Sequence, residues 1–308
     1  MTPTSNSPDR ERVRKFLRYP LATQLQVLRS RFRYHIVARW ITDPWYRLLA
    51  DTRFMLRRVL RPRPARAGEH PVMVSLTSHA PRFRTLAYTL KTLMAQSVEP
   101  CRVVLWLSAG DYDALPDSVR QLQRAGLEVR IADPDLRSHN KLLPAVRAFP
   151  TAAIVIADDD VYYSRTWLES LVDAYRADSR EVIGRGAHWI QRDPAGVPDL
   201  SSCWELVREA VSSPDIMLLG VCGVMYPPLA LAAAAFDIDL IRATTPRNDD
   251  FWFHAMLRLN GWTSRTVAPM TSFHTWWGSQ EVGLFRANLA GEDARSMERL
   301  VRALPGLV

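Results

Sequence analysis

Three consecutive carboxylates, Asp158, Asp159 and Asp160, end the apolar run Ala152–Ala157 and are the sharpest concentration of charge in the chain. β-Branched residues followed by acids read as a buried strand with the acids at its carboxyl end, where open α/β sheets bind ligands. Adjacent carboxylates repel one another, so a fold that keeps three together supplies a cation. Asp158 and Asp160 share one face if the extended geometry continues, and hard oxygen donors of this kind suit Mn2+ or Mg2+. The plain alternative, a solvated turn capping a helix that begins near Ser164, needs one acid rather than three.

Three further groups lie downstream. Asn248, Asp249 and Asp250 precede the apolar stretch Phe251–Leu259 and then Gly261, the pattern of a helix with two acids at its N-terminus and a glycine stop. Capping accounts for one acid, and the second invites a general-base role. A helix terminus and a nearby cation would hold the Asp250 carboxyl low, while Asp249 pushes it up. In the stretch from Gly220 to Pro228, Gly220 and Gly223 let backbone approach a ligand; the alternative is a strand with a tight exit turn. Finally, Phe273–Gly278 offers His274 as a metal or phosphate ligand, against the commoner structural histidine, and Trp276 and Trp277 as flat faces for a sugar ring.

Positioning these groups requires strands alternating with helices. The spacing predicts strands at 72–76, 102–107 and 127–131 and helices at 84–96, 117–125 and 140–149, the last leading into the acidic strand. Such alternation implies an α/β fold with a mostly parallel, Rossmann-like sheet flanked by helices. Neither a Gly-x-Gly-x-x-Gly fingerprint nor a Gly-Lys-Ser/Thr phosphate loop occurs, so neither a dinucleotide fingerprint nor a P-loop explains the fold.

The composition, 47% hydrophobic and 23% charged over 308 residues, is that of a folded globular chain. Its +8 charge is uneven: residues 1–70 hold 16 Arg/Lys against 5 Asp/Glu, which is +11 and leaves −3 on 71–308. Apolar residues at helical spacing (Leu21, Leu25, Leu28, Phe32, Ile36, Trp40) predict an amphipathic helix. Asp43-Pro44 opens a second one with the stripe Trp45, Leu48, Thr52, Met55 and Val59, closed by the Pro/Arg linker 61–71. Residues 1–70 thus form a basic amphipathic helical extension, suited either to an anionic membrane surface or to packing on the following domain or a partner; nucleic acid is not expected, because no binding motif accompanies the charge. The run Ile216–Phe236 is broken by Pro227-Pro228 and reads as strand, turn and short helix. Three cysteines without Cys-x-x-Cys spacing argue for a reducing compartment and against zinc. No signal peptide is visible. The expectation is a cytoplasmic protein, free or peripheral on the inner face of the cytoplasmic membrane.

Taken together, the strand with DxD-type acids, the Gly-rich strand, the acidic pair opening a helix that stops at Gly261, and the late His274 resemble the GT-A glycosyltransferases, in particular a family 2-like bacterial branch, over about residues 72–300. The resemblance implies a GT-A domain at 71–308, with a nucleotide-sugar-binding half (71–163) and an acceptor-binding half (164–308). It implies an inverting, metal-dependent transfer of one sugar from a nucleotide-sugar donor to a hydroxyl of a glycan or lipid-linked acceptor, as in surface polysaccharide synthesis. Carried over by position, Asp158 and Asp160 hold Mn2+ or Mg2+, with His274 as a third ligand. Ser75, Thr77, Ser78, Lys141, Asp158 and Asp159 contact the nucleotide-sugar. Asp250 is the base and Asp249 its neighbour. Gly223, Tyr226, Trp252, Trp276 and Trp277 are the acceptor-side candidates. The chain departs from the family after the second strand, where Ser108-Ala109-Gly110-Asp111 replaces the usual acidic motif. The Gln-x-x-Arg-Trp motif of processive synthases is absent as well. Alternatives are a sugar-nucleotide nucleotidyltransferase, against which the segment Ser75–Arg84 lacks a Gly-rich loop, and a non-catalytic carbohydrate-binding or scaffold protein on a degenerate GT-A fold.

Overall fold

In a computed structural model, residues 42–60, 62–192, 205–267, 274–279 and 293–304 are described. The stripe Leu21–Trp40 lies outside them. The chain divides into two compact units, Met1–Leu48 and Leu49–Val308, and the sheet lies wholly in the second. Its central strands are β1 (His70–Thr77), β2 (Val103–Leu107), β3 (Leu127–Ile131) and β4 (Ala153–Ile156). All four are mutually parallel in the order β3-β2-β1-β4. Beyond β4 the sheet continues through the antiparallel β7 (Val224–Tyr226) to β6 (Glu181–Gly184) and β8 (Thr263–Thr266), with β5 (Val161–Tyr162) set apart from it. The expected mixed α/β architecture, a mainly parallel sheet flanked by helices, is what forms.

Side-chain alternation explains the two cores. Val72, Val74, Leu76, Leu105, Val155 and Met225 point to one face, against Leu86, Leu90 and Leu93 of α2 (Phe83–Leu93) and Trp167, Leu168 and Leu171 of α5 (Trp167–Asp173). Met73, Val104, Trp106, Ile154, Ile156 and Val224 point to the other. There they meet Leu143 of α4 (Leu143–Ala148), Ile241 of α6 (Ile238–Thr244), Phe251 to Leu257 of α7 (Asp249–Leu259), and Leu300 of α8 (Asp293–Ala303). α3 (Asp117–Gln123) covers the α2 side. Strand order reverses between β1 and β4, so their carboxyl ends border the crevice where such sheets bind ligands.

Helix α1 (Asp43–Leu60) is continuous. Within the second unit its inward face is Ala50, Arg53, Phe54 and Arg57 at helical spacing, and the tether is polar: the Arg53 guanidinium donates to the Tyr162 hydroxyl (2.8 Å) and to the carbonyls of Tyr163 and Ala95. Lys91 reaches Asp51 at 2.5 Å. The stripe that includes Met55 and Val59 faces outward. The linker is ordered too, since Arg63–Pro64 pairs with Val98–Glu99 and Arg66–Ala67 with His70–Pro71. Residues 216–236 form short strands and 3-10 turns, and no helix among the described residues is long and apolar enough to cross a membrane.

Candidate active site

The site is assembled where the segment after β4 meets the N-terminus of α7. Lys141 joins the two. Its ammonium, nearly buried, donates to Asp158 Oδ1 at 2.6 Å and lies 3.1 Å from Asp249 Oδ2. Burial alone would lower the pKa of Lys141, but Asp158, Asp249 and Asp250 raise it well above the usual lysine value. Ser75 is the reason Lys141 sits there: its hydroxyl donates to the Lys141 carbonyl (2.6 Å) while accepting from Trp106 Nε1 (3.1 Å). Fully buried and doubly engaged, Ser75 positions the lysine and offers nothing to a nucleotide, contrary to its expected role. Thr77 donates to the Trp106 carbonyl. Ser78 donates to Asp159 Oδ2 at 2.5 Å, so it does join the acidic segment.

A residue the sequence reading missed supplies a second cation. Arg82, in the 3-10 turn Ala80–Arg82 just after β1, contacts Asp159 Oδ1 at 2.5 Å and Asp160 Oδ2 at 3.4 Å. The signal was present, because three acids call for a cation and Arg82 follows the strand that ends beside them. Among the described residues, Asp158–Asp160, Asp249 and Asp250 are five carboxylates matched by two cations, Arg82 and Lys141. That surplus leaves its mark: burial, then Asp159, pushes the Asp160 carboxyl up to about 7, against Arg82. The Asp158 amide is fixed by the Tyr163 hydroxyl (2.8 Å), which in turn donates to the Val221 carbonyl (3.1 Å).

The acidic pair opens α7 as expected, but neither acid caps it. Asn248 does, its side chain accepting from the Phe251 amide at 3.3 Å, and the helix ends at Asn260 before Gly261 at φ +71°. Both carboxylates are therefore free for other work, and they differ. Burial would raise Asp249, but Lys141 and then His139 bring it below the usual carboxylate range. Asp250 accepts the Gly220 amide at 3.0 Å, and burial followed by repulsion from Asp249 pushes it up to about 8. The helix terminus does not hold it low; desolvation and its neighbour win.

The two glycines before β7 serve different ends. A Cβ at Gly220 would stand 2.9 Å from Asp250 Oδ1 and 3.3 Å from Lys141 Nζ, so its bareness admits the acidic pair. Gly223, at φ +95°, has no room for a side chain because a Cβ there would meet the Trp167 indole at 2.4 Å; its requirement is packing, not an acceptor. Three other acceptor-side candidates are corrected likewise. Trp252 is 0% exposed, with Nε1 donating to the Ala235 carbonyl, and Trp276 is 1% exposed, with Nε1 donating to Thr89 Oγ1. Tyr226 is buried edge-on to Phe253. None presents a face to a ligand. Trp277, 41% exposed with the Arg84 guanidinium 5.7 Å from its ring centre, retains one. His274 pairs with Tyr162 in a two-residue strand and packs edge-on to Trp276 at 5.2 Å. No group of three or more His, Cys, Asp and Glu among the described residues is arranged to hold a metal, so His274 is not brought into a ligand set with Asp158 and Asp160.

No protein-family model matches the chain, and no curated protein matches it. Among solved structures it is similar to the mannosyltransferase PcManGT from Pyrobaculum calidifontis in complex with GDP-Man and Mn2+, at 15% identity and TM-score 0.45, covering 86% of this chain and 74% of that one. It is also similar to the inositol-1-phosphate CTP transferase from T. maritima (11% identity, TM-score 0.41, 74% and 97% covered). A third is a UDP-glucose pyrophosphorylase from Acinetobacter baumanii (10%, 0.42, 75% and 99%). Likenesses this remote carry no weight for chemistry or substrate.

Proposed function

We propose that this chain is an inverting, metal-dependent glycosyltransferase of GT-A type, of the family 2-like bacterial branch, moving one sugar from a nucleotide-sugar to a hydroxyl of a glycan or lipid-linked acceptor in surface polysaccharide synthesis. The observation that carries the reading is the Lys141 bridge, which joins the acids after β4 to an acidic pair whose second member is a basic carboxyl. A hydroxyl is a poor nucleophile at neutral pH and needs a base as the new bond forms. Asp250 takes the acceptor proton, the acceptor oxygen bonds to the anomeric carbon from the face opposite the leaving group, and the bond to the diphosphate breaks to release the nucleoside diphosphate. Nucleotidyl transfer uses an already ionised phosphate as nucleophile, so a raised carboxyl is idle in it. That difference favours glycosyl transfer.

The uncompensated carboxylate charge and the hard oxygen donors fit a divalent cation held by Asp158 and Asp160 and completed by substrate phosphates, not an all-protein cage. Such an ion, when bound, would neutralise the diphosphate leaving group. Arg82 and Lys141 keep the three acids apart and oriented, and Asp249 anchors Lys141. Incubation with a panel of nucleotide-sugars and Mn2+ tests the reading: slow release of nucleoside diphosphate is expected, with inverted configuration in any product. Formation of nucleoside triphosphate from nucleotide-sugar and pyrophosphate, undiminished in Asp250→Asn, would favour the nucleotidyltransferase instead.

A further inference from the structure

Helix α1 is mounted inside out. Its second half is held to the domain by Arg53, with its contacts to Tyr162, Tyr163 and Ala95, and by the Asp51–Lys91 pair. The apolar side chains on the other side are left in solvent. Met55 is 76% and Val59 75% exposed, and Leu56 and Leu60 are about half exposed. A soluble domain turns such a row inward, so a row that points out is a contact surface. The row runs along a convex helix rather than a groove, which suits a soft planar partner more than a protein knob. Of the arginines in the linker that follows the helix, Arg63 is paired with Asp173 at 2.9 Å and Arg66 is exposed. The segment 1–70, which contains α1, carries +11 while 71–308 carries −3, so by sequence the attraction to an anionic surface belongs to the segment that bears the apolar row.

We infer that α1 is a docking surface for an anionic lipid bilayer, lying in the interface with Met55, Leu56, Val59 and Leu60 in the acyl boundary. Because Arg53 ties its other face to the domain, the helix lies on the bilayer and does not cross it. A second copy of this chain is a poorer occupant, since it would bring two equally basic segments together. The tether has a functional consequence: Arg53 holds Tyr162, two residues after Asp160, so the docked helix and the acids share one segment of chain. The inference does not rest on the transferase reading, because vesicle binding needs no donor or acceptor.

The test is co-sedimentation of the full chain with vesicles of phosphatidylcholine containing about one-third phosphatidylglycerol, alongside phosphatidylcholine alone. Binding is expected to the anionic vesicles at low salt and to fall by about tenfold or more on screening in ~0.5 M salt. The charge-neutral variant Met55→Ser/Val59→Ser, at two exposed positions, is expected to keep the wild-type circular dichroism spectrum and lose binding by about tenfold, equivalent to about 1.4 kcal/mol. No binding by the full chain at low salt overturns the inference, as does unchanged binding by the variant. A wild-type dimer in sedimentation equilibrium that the same variant makes monomeric would assign the row to a second copy and overturn it as well.

Discussion

Replacing Lys141 with methionine removes the cation that, among the described residues, joins both halves of the candidate site, while keeping most of the side chain's volume. The loss is therefore electrostatic rather than a cavity. In the native protein the ammonium is nearly buried, 2.6 Å from Asp158 and 3.1 Å from Asp249. Asp158 is partly open to water and can be re-solvated, but Asp249 is buried and would be stranded. Breaking a buried pair by removing one partner costs about 3–5 kcal/mol, because the other charge is left uncompensated. At about 2 °C per kcal/mol for a unit of this size, the melting temperature should fall by about 6–10 °C. Calorimetry at neutral pH measures it. Adding Asp249→Asn to Lys141→Met removes the stranded charge, so the double variant should recover about 1.5 kcal/mol or more relative to additivity. If Lys141→Met melts within about 1 °C of wild type, or if the cycle shows no coupling, the lysine is not an electrostatic keystone of the site.

Asp250→Asn keeps shape but removes the base, and should lower kcat by ~10²–10⁴-fold with donor binding nearly intact, while Asp249→Asn costs less turnover and more stability; near-normal transfer by Asp250→Asn would reject the assignment. Gly220→Ala drives a methyl against Asp250 Oδ1, so steady-state kinetics should show about a 10–100-fold loss of kcat, whereas Gly223→Ala should chiefly lower the melting temperature; the reverse pattern would exchange their roles. Binding of a nucleoside diphosphate should require Mn2+ or Mg2+ and collapse in Asp160→Ala, and equally tight binding in EDTA by titration calorimetry would contradict that. His254, buried on α7, is lowered to about 3 by burial and then Arg258. Its folded pKa lies below the unfolded value, so the stability it supports is present above about pH 6.5 and falls by about 1.4 kcal/mol per pH unit toward pH 3. In His254→Leu, urea-unfolding free energies between pH 6 and 4 should lose that much of their slope, and an unchanged slope would mean the imidazole titrates freely in the fold.

Strands β1, β2 and β4 were legible because nearly continuous apolar runs such as Val72–Leu76 and Ala153–Ile156 have no other stable home than a sheet covered on both faces, and β3 because Leu127, Val129 and Ile131 alternate with charged residues. The start of α7 was legible for a different reason: Asn248 is a residue type that caps a free amide, and two acids after it suit the positive end of a helix. What was not legible is tertiary. A tryptophan reads the same whether its N–H is bound for water or for the Ala235 carbonyl, so Trp252 and Trp276 were misjudged as ligand faces. Ser75 looked like a hydroxyl at a strand end, and only the fold reveals that Trp106 and the Lys141 carbonyl consume it. Periodicity identified the apolar stripe of α1 but could not say which way it faces, because that depends on the partners of Arg53. Spacing could not separate Gly220 from Gly223 either, since one makes room for a carboxylate and the other for an indole.

The acidic pair shows how one lysine can set apart the strengths of two neighbouring carboxylates. Asp249 and Asp250 are adjacent on α7, so their side chains leave the helix about 100° apart and cannot share one partner equally. Lys141 goes to Asp249, which becomes an ionised anchor. Asp250 accepts the Gly220 amide, and its neighbour's fixed negative charge adds to the penalty of burial. Were the lysine midway, both acids would be low and both weak as bases. Its bias toward Asp249 makes that carboxylate a device for raising the other, and general-base efficiency is greatest when the pKa lies near the operating pH. The same ammonium reaches Asp158 on the acidic segment, so the contact that orients that segment also bears on the state of the proposed base.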